Sequence, residues 1–346
     1  MSLKQEIMEQ PEIVRHLIDN QMNSVMAIAA EIKKAKAPYV HIAARGTSDN
    51  AGRYASYLWG AHNQLCVGLA TPSLYSVYHK PPQLNGALVV GISQSGQSPD
   101  IVSVLSEARK QGCPTLSITN EKNSPLAKES DWVIDINAGV EKAVAATKTY
   151  TAELTAVAML SVALQDDPDA ALKALKKVPG WMKEVLKQDE HIEKIAQRYR
   201  YMDQCIVLGR GFNYATAFEW SIKMKELAYV VADAYSSADF KHGPIAIVDR
   251  GFPVMVIIPE GAVFEDMLTL VRKLREDHLA EVLVISNQQS ALDLAQSPIA
   301  IPKDVPEWLS PLVCILPAQL FAYHLTVGKG FSTETPRWIT KVTETH

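Results

Sequence analysis

The chain is 346 residues long, room for two ordinary domains or one large α/β unit. Hydrophobic residues make up 47% and charged residues 21%, which excludes a disordered chain. Lys and Arg total 34 against 38 Asp and Glu, a net charge of −4, so no basic excess exists to hold a nucleic-acid backbone.

In chain order, residues 1–30 read as an N-terminal helical segment with acids and no long apolar run, so no signal peptide is expected. Residues 39–43 (YVHIA) form a strand-like run that breaks at Arg45-Gly46-Thr47-Ser48-Asp49 and passes into a helical pattern through Tyr54, Tyr57 and Leu58. Further strands are expected at 87–92 (ALVVGI), 115–118 and 132–136. They are continuously apolar rather than alternating, the mark of a parallel sheet covered on both faces. The second half repeats the order. Residues 206–211 (IVLGRG) echo 41–46, 254–258 echo 88–92, and 283–287 (LVISN) echo 116–120, at a nearly constant offset of about 166 residues.

The fold class that follows is α/β: two tandem doubly wound α/β/α units with parallel sheets. The first is expected over 31–165 and the second over 201–330. A charged helical linker at 166–200, marked by Asp166-Asp167-Pro168 and Pro179-Gly180, joins them, and a tail follows at 331–346. Cys66, Cys113, Cys205 and Cys314 are scattered, with no CxxC and no His at ligand spacing, which argues against a disulfide framework or a structural zinc. No uninterrupted apolar stretch approaches the roughly 18 residues of a membrane span. A cytoplasmic protein with neither membrane nor nucleic-acid partners is expected.

Open α/β sheets bind ligands at the carboxyl ends of their strands. There, Ser93-Gln94-Ser95-Gly96-Gln97-Ser98-Pro99-Asp100 gathers three hydroxyls, two amides and a glycine before a helix. Ser98 stands as N-cap and Pro99 as first helical residue, so free N–H groups point into the loop. Hydroxyls plus a helix N-terminus make a phosphate cradle without a basic residue; the plainer alternative is a capped polar loop. No Gly-Lys-Ser/Thr follows, and the first strand ends in ARGTSDNAG rather than GxGxxG, so nucleotide-cofactor motifs are absent. A second polar cluster is Gly46-Thr47-Ser48. A third, Val144-Ala145-Ala146-Thr147-Lys148, follows Glu141 and opens an apolar helix; Thr147 and Lys148 alone read as first-turn residues.

In the helix expected over 218–230, Glu219, Lys223 and Glu226 form one charged stripe, while Phe218, Trp220, Ile222, Met224 and Leu227 surround it with apolar bulk. A solvated face is one reading. The apolar surround favours an internal polar cavity, where a carboxylate beside an ammonium can be tuned as a general base. Asp239-Phe240-Lys241-His242-Gly243-Pro244 reads as a tight loop holding a histidine suited to proton handling. The tail Thr335-Pro336-Arg337-Trp338-Ile339-Thr340-Lys341-Val342 is too apolar for a frayed end and is expected to pack on the body, with Lys341 a surface lysine or an active-site amine.

With these motifs in order, the sequence resembles the sugar isomerase (SIS) family. The likeness is to two-SIS proteins related to the isomerase half of glutamine–fructose-6-phosphate aminotransferase. It runs through ARGTS at 44–48, SQSGQSPD at 93–100, EKAVAATKTYTAEL at 141–154, GRG at 209–211, EWSIKMKEL at 219–227, DFKHGP at 239–244 and TPRWITK at 335–341. The resemblance implies a phosphosugar site with no metal and no organic cofactor. In it Thr47, Ser48, Ser93, Gln94, Ser95 and Ser98, with Val144, hold the sugar and its phosphate. It also implies that Glu226 moves a proton between C1 and C2, with Lys223 beside it, and that His242 opens the ring from a neighbouring subunit of a homodimer. Lys341 matches a lysine able to form a Schiff base with an open-chain ketose. One departure is Ala146, where the aminotransferase pattern has serine.

Met1 is followed by Ser2 and the repeat starts by about residue 40, so no glutaminase domain with an N-terminal cysteine nucleophile is expected. The direction this favours is glucosamine 6-phosphate to fructose 6-phosphate and ammonia, and the SVYHK, SQSGQSPD and EKAVAATK segments also resemble the stand-alone deaminases of the family. Alternatives are an aldose–ketose isomerase, a ketosamine-phosphate deglycase, an ammonia-dependent synthase, or a non-catalytic phosphosugar sensor.

Overall fold

Strands β1 (Val40–Ala43), β3 (Leu88–Ile92) and β4 (Thr115–Thr119) lie almost wholly out of solvent, as strands with helices on both faces must. The computed structural model describes residues 2–341, and residues 342–346 of the expected tail lie outside the described residues. The chain divides into two compact units. One comprises Glu12–Glu141, Ala146–Lys176 and residues 340–341; the other comprises residues 2–11, Lys142–Ala145 and Lys177–Ile339.

Helix α1 (Leu3–Ala35) opens the chain, longer than the expected 1–30 segment. In the unit of β1, the helices and strands that follow are α2 (Gly46–Asn63), β2 (Val67–Leu69), α3 (Ser73–Ser76), α4 (Pro99–Lys110), α5 (Pro125–Lys128), β5 (Trp132–Asp135), α6 (Lys148–Ala163) and α7 (Asp169–Leu175). All strand pairs are parallel, in the order β2-β1-β3-β4-β5. Val89 of the sheet and Leu84 of the segment before β3 pack with Ile101, Val104 and Leu105 of α4. Elsewhere in the unit α2 and α6 pack together, with Trp59 Nε1–H donating to the Val157 carbonyl at 3.1 Å.

The other unit runs α8 (Val178–Leu186), α9 (Asp189–Arg198), β6 (Gln204–Gly209), α10 (Tyr214–Ala228), β7 (Val231–Ser236), α11 (Ser237–Lys241), β8 (Pro253–Ile257), α12 (Phe264–Glu276), β9 (Glu281–Ser286), α13 (Gln289–Leu292), β10 (Ser297–Ala300) and α14 (Ser310–Gly328). Its order, β10-β9-β8-β6-β7, is the first sheet's order read from the other edge, again all parallel. The two tandem doubly wound units are therefore present. Leu208, Val254, Val256 and Val282 pack against Met267, Leu270, Val271 and Leu274 of α12, which carries Glu265 and Asp266 in its first turn and Lys273 and Arg275 in its last. Trp220 of α10 and Tyr199 both meet Phe321 of α14 edge-on, at centroid distances of 5.7 and 5.5 Å. The stretch Glu307–Gly328 is long and apolar enough to cross a membrane by composition, but it is mostly buried, as befits a core helix.

Each first strand leaves through the same turn. Arg45 and Arg210 are extended, and Gly46 and Gly211 follow at φ +55° and +60°, a left-handed position that glycine occupies without a Cβ clash. The echo of Arg-Gly in the two halves is thus a backbone requirement. The charged tract after Asp166 folds as three short helices, and the division between units falls between Lys176 and Lys177. Strand β7 has no counterpart among the expected strands. It lies at a sheet edge and exposes Val231 and Asp233, so it lacks the continuous apolar run of its neighbours.

Candidate functional site

In a sheet ordered 2-1-3-4-5 the strand direction of travel reverses between β1 and β3, and the crevice at their carboxyl ends is where such folds take ligands. Ala43 and Gly91 are register partners there. Thr47 and Ser48 occupy the first turn of α2, and Ser93, Gln94, Ser95 and Ser98 form the loop from β3 to α4. The structure thus brings these six residues to one end of one sheet.

The hydrogen bonds fix what each hydroxyl can still do. Ser93 Oγ accepts the Gly96 N–H at 3.1 Å and Ser95 Oγ accepts the Gln97 N–H at 3.3 Å, so both keep a proton to donate to an anion. Ser48 is the reverse: its Oγ donates to the buried Glu153 Oε1 at 2.8 Å, leaving lone pairs for a ligand hydroxyl. Ser98 occupies the N-cap of α4 with Pro99 next, but its side chain makes no capping bond, contrary to the simplest reading of Ser-Pro-Asp. Arg45 Nε reaches the buried Asp100 at 2.7 Å and ties the β1 turn to the start of α4.

At the start of α6 a second arrangement forms within the same unit. Glu141, 0% exposed at its side chain, accepts Thr147 N–H at 2.9 Å, Thr149 N–H at 3.2 Å and Thr149 Oγ–H at 2.8 Å, and it pairs with Lys341 Nζ at 2.6 Å. Burial pushes the Glu141 carboxyl up, but the Lys341 ammonium and the threonine donors outweigh it and hold the group below its ordinary value. Lys148 is buried as well, more deeply than a first-turn lysine on a solvated helix.

In the other unit, α10 is buried around most of its circumference. Lys223 is 1% exposed, with Glu226 Oε2 at 2.6 Å and Glu219 Oε1 at 3.4 Å. Glu219 is fully buried and Glu226 is 30% exposed, so one carboxylate anchors the lysine while the other reaches the surface. His242 is exposed at the end of α11, and its ring makes no hydrogen bond among the described residues. The segment expected as a tight loop is a short helix up to Lys241, because Ser236 caps it by accepting the Ala238 N–H. No hydrogen bond or ion pair joins His242 to Glu226 or Lys223. Val144 is half-buried in an irregular stretch before α6. The tail folds back within this unit: Arg337 N–H donates to Tyr229 Oη at 2.9 Å, and its guanidinium lies 4.4 Å from the Tyr229 ring centroid at the end of α10.

Sequence reasoning did not single out the acids Glu6 and Glu153, and it noted Glu141 only as preceding the 144–148 cluster, without a role. Glu153 had a local signal, since it is the lone acid in a helix whose sixteen residues are all buried, where a carboxylate must find a donor. Among the described residues no three His, Cys, Asp or Glu side chains gather as metal ligands, and the four cysteines are free.

The chain matches the SIS domain family over residues 32–163 and 200–328. It is 33% identical over 341 residues, 97% of its length, to glutamine–fructose-6-phosphate aminotransferase (isomerizing) of Aquifex aeolicus, of which it covers 56%. The chain therefore spans about half the length of the curated relatives it matches. Among solved structures, the C-terminal domain of glucosamine-fructose-6-phosphate aminotransferase from Francisella tularensis superposes with a TM-score of 0.85 at 28% identity, over 96% of this chain and 98% of that one. Glucosamine-6-phosphate deaminase from Thermotoga maritima shares the fold at a TM-score of 0.79 and 22% identity, over 100% of both chains. With one five-stranded parallel sheet under each matched region, the chain belongs to the SIS domain family as a tandem of two such domains.

Proposed function

We propose that the protein is a phosphosugar enzyme that converts glucosamine 6-phosphate and water to fructose 6-phosphate and ammonia by general acid–base proton transfer. The observation that carries this reading is the α10 stripe, in which a buried ammonium between two carboxylates leaves Glu226 alone reaching the surface. A base for a C–H proton must meet the substrate and yet have a neighbour that stabilises its charged form. Glu226, with Lys223 at 2.6 Å, meets both conditions.

In the proposed sequence His242 assists ring opening, and Glu226 removes the C2 proton of the open-chain amino aldehyde. Returning that proton to C1 leaves an imine at C2, which water hydrolyses to the ketone with release of ammonia. Ser93 and Ser95 donate to the phosphate, with Thr47, Gln94 and Ser98 in the same cradle, and Ser48 accepts from a sugar hydroxyl. Lys341 is the candidate amine for imine chemistry with the open-chain ketose once it leaves Glu141. The exposed, unbonded His242 is available to a second copy of the chain, and a homodimer with shared sites is part of the proposal.

The test is ammonia release and ketose phosphate formation from glucosamine 6-phosphate, alongside other amino-sugar and ketosamine phosphates and fructose 6-phosphate with ammonia. Turnover of glucosamine 6-phosphate is expected. Turnover of a different panel member alone retains the mechanism and replaces the substrate, and binding without any C2 proton exchange overturns the enzyme reading in favour of a sensor.

A further inference from the structure

Helix α6 is buried along all sixteen of its residues and carries one acid, Glu153, 1% exposed. Its hydroxyls at 151 and 155 turn back on the helix, Thr151 Oγ–H donating to the Lys148 carbonyl at 3.1 Å and Thr155 Oγ–H to the Thr151 carbonyl at 2.7 Å. Glu153 instead reaches out to α2, where its Oε1 accepts Ser48 Oγ–H at 2.8 Å. The seam between α2 and α6 does not depend on that bond. Farther along it, Trp59 Nε1–H donates to the Val157 carbonyl at 3.1 Å and Asn63 Nδ2–H to the Ser161 carbonyl at 2.9 Å, while Ser161 Oγ–H returns to Asn63 Oδ1 at 2.8 Å. These bonds set the register of the two helices with neutral groups, whereas a buried carboxylate is costly to desolvate. All of these residues lie within one compact unit, the one that holds the hydroxyl loop.

An ionised carboxylate has acceptors only, so the Ser48 proton is committed to Glu153 and the Ser48 oxygen is left with lone pairs. Ser93 and Ser95 accept backbone N–H groups and keep their protons. The crevice between β1 and β3 therefore offers donors on the β3 side and an acceptor on the β1 side. We infer that Glu153 sets specificity at this site: by holding the Ser48 proton it makes Ser48 an acceptor, which takes a hydroxyl and disfavours an anionic oxygen, so that a phosphosugar is selected over free phosphate. This rests on the proposed phosphosugar site and deepens it. Glu153 is a positioning residue that acts through Ser48.

The experiment uses the full chain with Glu153→Leu, Glu153→Gln, Ser48→Ala and the Ser48→Ala/Glu153→Leu double variant. Affinity for fructose 6-phosphate is measured by calorimetric titration and affinity for inorganic phosphate by competition, with a melting curve to establish that each variant is folded. Glu153→Leu is expected to bind fructose 6-phosphate about three- to tenfold more weakly, with phosphate affinity within about twofold of wild type. Glu153→Gln, whose amide can donate to Ser48 as well as accept from it, is expected to give an intermediate ratio of the two affinities. In a Ser48→Ala background, Glu153→Leu should cause no further loss, because the effect passes through that hydroxyl. Equal weakening of both ligands, unchanged affinities, or additive losses in the double variant each overturn the inference. Where Glu153→Leu does not fold, Glu153→Gln decides, and a wild-type ratio in that variant overturns it as well. A wild-type chain that binds fructose 6-phosphate no more tightly than phosphate overturns the phosphosugar reading beneath, and that result is seen before any variant is compared.

Discussion

Lys223 is the cation on which two carboxylates of α10 depend, and its replacement separates stability from chemistry. Lys223→Met retains the apolar stem and its packing but removes the ammonium. Glu219, 0% exposed and 3.4 Å away, then loses a charged partner in a site that water does not reach. Breaking a buried pair from one side costs about 3–5 kcal/mol. The partner at 30% exposure adds little, because solvent screens it. Taking the lower figure, at about 2–4 °C per kcal/mol for a domain of this size, the melting temperature falls by about 6–12 °C. Glu226→Gln leaves Lys223 and Glu219 together and is expected to shift melting by less than about 3 °C. That variant lacks the proposed base, so C2 proton exchange is expected to fall by about 10²–10⁴-fold. Scanning calorimetry and deuterium incorporation at C2, followed by NMR, read the two effects. Lys223→Met melting with the wild type refutes the burial argument, and full exchange in Glu226→Gln refutes the assignment of the base.

Glu141 gives a pH signature. Its carboxyl is held below the ordinary value of 4.5, so its contribution to stability is present above that pH and lost as pH falls through the lowered value. Glu141→Gln should melt earlier than wild type at pH 7, with the gap closing below pH 4.5; a gap that stays constant down to about pH 3 contradicts the pairing. Gly96→Ala places a Cβ 2.2 Å from Ser124 Oγ and 2.6 Å from its Cβ, at a backbone φ of +60°, so the 93–98 loop must move. Calorimetric titration with fructose 6-phosphate should show weakened binding, and unchanged affinity would detach this loop from the site. Ellman titration of the folded protein should find one fast thiol, Cys66, since Cys113, Cys205 and Cys314 are buried and burial pushes the Cys205 thiol up to about 12. Two or more fast thiols would show that the core opens readily.

What could be read from the sequence divides along the range of the interaction. The continuous apolar strands, the Arg-Gly turns and the hydroxyl loop at 93–98 are local patterns, each set by a neighbouring residue's sterics or by strand burial, and they lead to the observed fold class. The acids are not local. Glu6 meets amides 136 and 137 positions away, Ser48 meets Glu153 across 105, and Lys341 meets Glu141 across 200, so no periodicity announces them. The direction of each hydroxyl is equally silent in the sequence, yet it decides that Ser93 and Ser95 keep protons while Ser48 does not. The helix at 237–241 was within reach, since Ser236 is an ordinary N-cap residue, but the Gly243-Pro244 pair draws attention to a loop instead.

The two domains share a topology and differ in what their corresponding loops can hold. After β3 the loop reads SQSGQS; after β8 the same position, 259–263, reads PEGAV and has no hydroxyl. There the Ala262 N–H already donates to Glu307 Oε2 at 2.8 Å, and a Cβ on Gly261 would sit 2.3 Å from the same oxygen, so a carboxylate of the chain fills the space against the backbone. The cations nearby are committed too, with Arg210 and Lys241 both paired to Asp266 at the start of α12. An incoming phosphate would have to displace Glu307 and lie near Glu260 and Glu265 as well, an arrangement that like charges oppose. In the β6–β10 domain the unusual charge chemistry instead lies along α10, where a buried lysine and two carboxylates replace the apolar ridge that a covering helix needs. The two halves share the scaffold and differ in the side chains it carries: hydroxyls beyond the strand ends in one domain, and a buried lysine with two carboxylates along α10 in the other.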